Sequence, residues 1–153
     1  MTNKIRAMRM RELQLQEYEL FSLCEILQEN VAKSPIVLLR GELGSGKTTL
    51  VRSFVAYCGG DTSEVSSPTF SLSQGYACQK YGVIYHYDIY RKELSEMLEL
   101  GLLECLELQG VHFVEWGGND LQTLLRQNGF TPISIDIKLG QNNRIYRIYK
   151  AGV

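Results

Sequence analysis

A three-layer α/β fold is predicted for this 153-residue chain, with a mostly parallel central sheet, antiparallel strands at its edges and a C-terminal hairpin. Three features of the sequence predict it. Short continuous apolar runs such as Ile36–Leu39 and Val111–Val114 are the pattern of strands buried on both faces, the habit of parallel strands. Stretches with apolar residues at three- and four-residue spacing alternate with those runs, which favours helices packed on a sheet over an all-α or all-β arrangement. Residues 133–139 (ISIDIKL) and 144–150 (RIYRIYK) alternate around GQNN, a hairpin signal.

Taken in order, Ile5 to Leu13 alternate loosely and are expected to start the fold as an edge strand. Phe21, Cys24, Leu27 and Val31 fall at helical spacing, so a helix is expected over about Leu15 to Ala32, stopped by Ser34-Pro35. The strand at Ile36–Leu39 runs into Gly41. Leu50, Val51, Phe54 and Val55 mark the next helix, closed by Gly59-Gly60. Residues 61–68 read as a surface loop, and Phe70, Leu72 and Tyr76 as a strand ending near Gly75. Val83, Ile84, Tyr85 and Tyr87 mark a strand ending at Asp88. Leu94, Met97, Leu98, Leu102 and Leu106 are helical but interrupted by Gly101, which predicts two short pieces between Glu93 and Leu108. Leu121, Leu124 and Leu125 suggest a helix ended by Gly129. With no linker or repeat along the way, residues 1–153 are expected to form one domain.

Composition narrows the function. Hydrophobic residues make up 44% and charged residues 22%, the balance of a folded globular chain. Sixteen Lys and Arg against seventeen Asp and Glu leave a formal charge of -1, so no global positive field exists to hold nucleic acid unaided. Cys24, Cys58, Cys78 and Cys105 include no CxxC pair, and only His86 and His112 are available beside them. Reduced thiols in a cytoplasmic protein are expected, without a structural zinc. No apolar run approaches the ~20 residues of a bilayer span, and the basic N-terminal stretch is followed by QLQEYEL in place of an apolar secretory core.

Between the buried strand and the next helix lies GELGSGKT, the Walker A pattern, in the context its chemistry needs. The glycines let the backbone of Gly41, Glu42, Leu43, Gly44, Ser45 and Gly46 curl so that N–H groups face phosphates. Lys47 reaches the β and γ oxygens, the Thr48 hydroxyl ligates magnesium, and Thr49 adds a hydroxyl toward the α-phosphate. The expected ligand is a nucleoside triphosphate with Mg2+.

Two carboxylates stand at strand ends where the magnesium shell needs one: Asp88 after VIYHY and Glu115 after VHFV. Asp88 suits magnesium by residue type. Glu115, with its longer reach, suits orienting or deprotonating an attacking water, and it stands as a candidate for either role. Thr69, in a Ser-Pro-Thr loop, is either a switch hydroxyl sensing the γ-phosphate or part of a simple turn. His86, Tyr85, Tyr87 and Tyr90 read as a base-stacking platform or, more in keeping with aromatic strand residues, as core packing. Arg91 is a phosphate- or partner-facing cation or a plain surface arginine. Arg144, Arg147 and Lys150 on the final hairpin form either a small basic face or a guard against edge pairing.

GELGSGKTTL (41–50), SSPTF (66–70), YHYDIYR (85–91), the ELG of 99–101 and VEW (114–116), in that order, closely resemble the TsaE family, also called YjeE. The resemblance covers roughly Ile36 to Gly117. It implies an ATPase that supports formation of N6-threonylcarbamoyladenosine at position 37 of tRNAs reading codons that begin with A. Such a protein works with the TsaD and TsaB proteins, TsaC supplies the threonylcarbamoyl-adenylate, and tRNA is engaged through the complex. The resemblance also places Lys47 and the loop backbone on ATP, Thr48 and Asp88 at the magnesium positions, Glu115 at the proposed catalytic acid, Thr69 in the switch-like loop and Trp116 near the nucleotide. Gly117-Gly118 departs from the family's usual proline after the tryptophan. A small-molecule kinase is the competing reading, but only Arg52, Arg91 and Arg126 occur between Lys47 and Gly129, too few for an arginine-rich lid. A nucleotide-binding adaptor without turnover is the other. A GTPase is disfavoured, because neither an NKxD nor a DxxG motif stands in a suitable place.

Overall fold

The computed structural model describes residues 8–66 and 73–150. Seven strands form one sheet: β1 (Met8–Leu15), β2 (Ile36–Arg40), β3 (Ser73–Cys78), β4 (Gly82–Asp88), β5 (Val111–Glu115), β6 (Ile133–Leu139) and β7 (Arg144–Lys150). Their spatial order is β1-β7-β6-β2-β5-β4-β3. β2 pairs in parallel with both β5 and β6, and β4 pairs in parallel with β5. β3, β7 and β1 are antiparallel to their neighbours, so the expected mixed sheet, parallel at its centre, is what forms.

The continuous apolar run of β2 serves both faces. Val37 and Leu39 join α1 (Leu20–Val31) and α2 (Lys47–Tyr57) through Leu23, Leu27, Leu50 and Phe54. Ile36 and Leu38 join the opposite layer, built from α3 (Leu94–Glu99), α4 (Leu102–Leu106) and α5 (Asn119–Gln127) through Met97, Leu102, Leu106, Leu121 and Leu125. Period-two alternation on a strand requires such a division when helices cover both sides. α3 and α4 are the two pieces expected around Gly101, which caps α4 at φ +95. None of the helices in the described residues is long and apolar enough to cross a membrane.

Three local expectations shift. Leu15 ends β1 and does not open a helix, because Gln16 adopts an extended conformation and its N–H donates to Glu19 Oε1 at 2.9 Å, so a short 3-10 turn at Glu17–Glu19 precedes α1. The strand expected to end at Gly75 runs on to Cys78, since buried Tyr76 and Cys78 keep it paired with β4; Phe70 and Leu72 lie outside the described residues, as do Ile5 to Ala7. The basic hairpin residues share no single face. Arg147 pairs with Glu12 across β1 at 2.6 Å, whereas Arg144, two residues before buried Tyr146, points to the helix-covered side.

Candidate active site

The C-terminal ends of β2, β4 and β5 converge on one edge of the sheet, where an open α/β sheet presents its ligand crevice. β2 delivers the chain to the glycine-rich loop, 41–46, and α2 starts at Lys47. Two glycines there are sterically required. A Cβ on Gly41 would lie 2.5 Å from Ser45 Oγ and 2.7 Å from the Ile137 carbonyl oxygen; Gly46 caps α2 at φ +106. Ser45 is buried under the loop, while Glu42, Leu43 and Gly44 form its exposed tip. Thr49 sits half-buried in the first turn of α2.

Lys47 is buried at 5% exposure and folded back on this loop. Its Nζ donates to the carbonyl oxygens of Gly41 (2.7 Å) and Glu42 (3.0 Å), and lies 3.8 Å from the centroid of the Trp116 ring. Burial pushes its pKa below the usual 10.5, and the nearby carboxylates of Glu115 and Asp88 oppose that shift. Its Nζ thus stands against an aromatic face, a contact that favours a cation, as do the two acids that oppose the effect of burial.

Glu115 ends β5 and is 3% exposed. The Thr48 hydroxyl donates to its Oε2 at 2.8 Å, and the same oxygen contacts Nε2 of fully buried His86. Nδ1 of His86 lies 3.1 Å from the Tyr76 hydroxyl, which also donates to Gln74 Oε1 at 2.8 Å. A buried carboxylate needs such partners, because an ionised acid without them would carry a heavy desolvation cost. Asp88 stands opposite Glu115 in the β4–β5 register, and its Oδ1 accepts the Tyr90 N–H at 3.0 Å, which turns the chain after β4.

Trp116 takes φ +70, unusual for a bulky residue, and its N–H donates to the Leu39 carbonyl at 2.8 Å. Tyr90 packs on its ring at 4.5 Å between centroids, and the guanidinium of Arg91, itself at φ +56, lies 5.0 Å from the Tyr90 ring. Arg91 therefore belongs to the rim of the site. The loop after Trp116 is held from below: Arg40 donates from Nε to the Gly117 carbonyl and from Nη2 to Gln122 Oε1, both at 2.7 Å. A Cβ on Gly117 would lie 2.9 Å from Leu38 Cδ2, so the glycine at this position permits the loop to pack directly on β2.

The structure brings Lys47, Thr48, Asp88, Glu115 and Trp116 together at this edge of the sheet. Thr69 lies outside the described residues. Sequence reasoning missed the roles of four residues: His86 and Tyr76 as the support behind Glu115, Tyr90 as the wall of Trp116, and Arg40 as the anchor of the Gly117 loop. The H-x-D spacing carried a signal for the first, since alternation places His86 on the same strand face as Asp88, but the partner on β5 depends on register.

The family model described as threonylcarbamoyl adenosine biosynthesis protein TsaE matches residues 15–147. This chain belongs to the TsaE family. Among relatives called tRNA threonylcarbamoyladenosine biosynthesis protein TsaE, that of Rickettsia prowazekii is 37% identical over 130 residues, 82% of this chain and 85% of its own length. The Rickettsia conorii protein is 40% identical over 101 residues, 65% of this chain, and this chain spans 57% of that relative's length. The Bacillus subtilis protein is 43% identical over 83 residues, 53% of this chain and 49% of its own length. A crystal structure of Bacillus subtilis YdiB shares the TsaE-family chain's fold, with a TM-score of 0.64 over 96% of this chain and 90% of that one at 24% identity.

Proposed function

We propose that this TsaE-family protein is the Mg2+-dependent ATPase subunit of a cytoplasmic TsaB–TsaD–TsaE assembly that forms N6-threonylcarbamoyladenosine at position 37 of tRNAs reading codons that begin with A. The names of its relatives support the pathway. The observation that carries the ATPase reading is the hydrogen bond from Thr48 to Glu115, which ties the phosphate loop to a buried strand-end carboxylate beside Lys47.

The donor set fits magnesium. Thr48, Asp88 and Glu115 offer hard oxygen ligands, few enough to leave room for phosphate oxygens and waters, as that ion prefers. When bound, magnesium would neutralise charge on the β and γ oxygens. Every other role falls to the chain. Lys47 exchanges its loop carbonyls for the triphosphate, a short move because Gly41 and Glu42 are part of the loop that cradles it. The Thr48 hydroxyl would be one of the metal's ligands, and the Glu115 carboxylate would orient the attacking water. His86 keeps Glu115 in place, since it grips the carboxylate from the buried side. Trp116 and Tyr90 wall the crevice. The near-neutral charge accords with tRNA being held by the partners.

Steady-state hydrolysis of ATP and GTP with magnesium, alone and with TsaB and TsaD, followed by tRNA modification over many turnovers, tests the reading. ATP-selective turnover that responds to the partners and sustains modification is expected. Hydrolysis indifferent to them, with a metabolite phosphorylated instead, would establish a kinase.

A further inference from the structure

On the other flank of the phosphate loop stands an arginine that the reading above does not use. Arg144 opens β7 opposite Leu139 at the mouth of the hairpin. A Cβ on Gly46 would lie 3.2 Å from its Nε and 3.4 Å from both Cδ and Cζ, so the guanidinium rests against the last residue of the loop before Lys47. Its Nε is buried without a hydrogen-bond partner, and no ion pair holds it among the described residues. A buried guanidinium N–H that lacks an acceptor is costly, and arginine's fork suits phosphate. The hairpin is also fixed to the loop, because the Ile137 carbonyl fills the space beside Gly41.

The topology says which part of a nucleotide would meet it. β2 lies between β5 and β6. Thr48, Glu115 and Asp88 occupy the β5–β4 flank, where the magnesium-bound β and γ phosphates belong. A nucleotide laid across the loop with that end toward β5 extends its α-phosphate and nucleoside toward β6 and β7. Resting on the ATPase reading, we propose that Arg144 binds the α-phosphate of the nucleotide, as the cation at the nucleoside end of the phosphate loop. Its free Nε then gains the acceptor it lacks, and the C-terminal hairpin becomes part of the nucleotide site.

The test is calorimetric titration of the full chain with MgATP, MgADP and inorganic tripolyphosphate. Arg144→Gln is expected to weaken all three by a similar factor, on the order of tenfold. Arg144→Lys, which keeps the charge and most of the stem, is expected to recover part of the loss. Unchanged affinity in a folded Arg144→Gln protein would show that the arginine only packs on the loop and overturn the proposal. Weakened ATP with unchanged tripolyphosphate would also overturn it, by moving the contact to the base or ribose. A wild-type protein that binds no nucleotide would overturn both this proposal and the reading beneath it, an outcome visible before any variant is made.

Discussion

His86 and His112 lie on neighbouring strands, and both are fully buried. Each presents Nδ1 to a tyrosine hydroxyl, Tyr76 at 3.1 Å and Tyr87 at 2.8 Å. They face opposite sides of the sheet, and only the second nitrogen tells them apart. His86 gives it to the Glu115 carboxylate, under the phosphate loop; His112 gives it to the Leu108 carbonyl, between stacked Tyr85 and Tyr87. Two side chains with the same burial and the same kind of tyrosine partner thus support the candidate site on one face and a helix-to-strand connection on the other. Burial and residue type do not mark a functional histidine; the chemistry of its second partner does.

The largest effect that sharpens this contrast is expected at Lys47, which lies in the candidate site on the His86 face and whose Nζ stands against Trp116. Lys47→Ala should lower ATP turnover by at least about 1,000-fold, since phosphate positioning and charge compensation vanish together. Wild-type turnover in that variant would mean that the His86 face is not a reaction centre. Next, Glu115→Ala should keep ATP binding, measured by titration, and lose hydrolysis by about 100-fold or more. Loss of binding with no separate effect on turnover would place Glu115 in the magnesium shell or the fold.

The two histidines themselves should then separate. His86→Ala is expected to lower kcat by about tenfold because it loosens Glu115. His112→Ala should leave kcat alone and cost about 2 kcal/mol of stability in denaturant titration, through two lost hydrogen bonds and the space left between Tyr85 and Tyr87. Equal effects of the pair on kcat would break the comparison.

The smallest effect is a pH dependence on the His112 side. Burial lowers the pKa of His112 below its usual 6.5, with the Leu108 carbonyl opposing that shift. The folded state therefore binds fewer protons than the unfolded chain, and the contribution of this group to stability is intact above about pH 6.5 and declines as the pH falls below it. Melting temperature followed from pH 8 to pH 5 should drop less in His112→Gln than in the parent, and parallel curves would remove His112 from the account.

Much of the molecule was legible before any coordinates. Two helices about Gly101, the doubly buried β2, the phosphate loop between strand and helix, and the closing hairpin all follow from residue spacing and from glycines whose backbone demands are local. The candidate site was legible as a set of residue types at strand ends. Its supports were not: Tyr76 and His86 looked like ordinary strand aromatics, and Arg144 looked like an edge charge. Each acquires its role from a residue far along the chain, Glu115 for His86 and Gly46 for Arg144.

By itself the sequence determined the order of elements, the phosphate loop and the residues that mark the TsaE family, because periodicity and loop chemistry act over a few neighbouring residues. Only the tertiary structure decided which side chains share a partner. It set β4 beside β5 in a register that brings His86 under Glu115, and β6–β7 beside β2 so that Arg144 meets Gly46. The physical reason is that strand neighbours and register are settled by how whole faces pack against the helices, a global balance of burial that no local segment encodes.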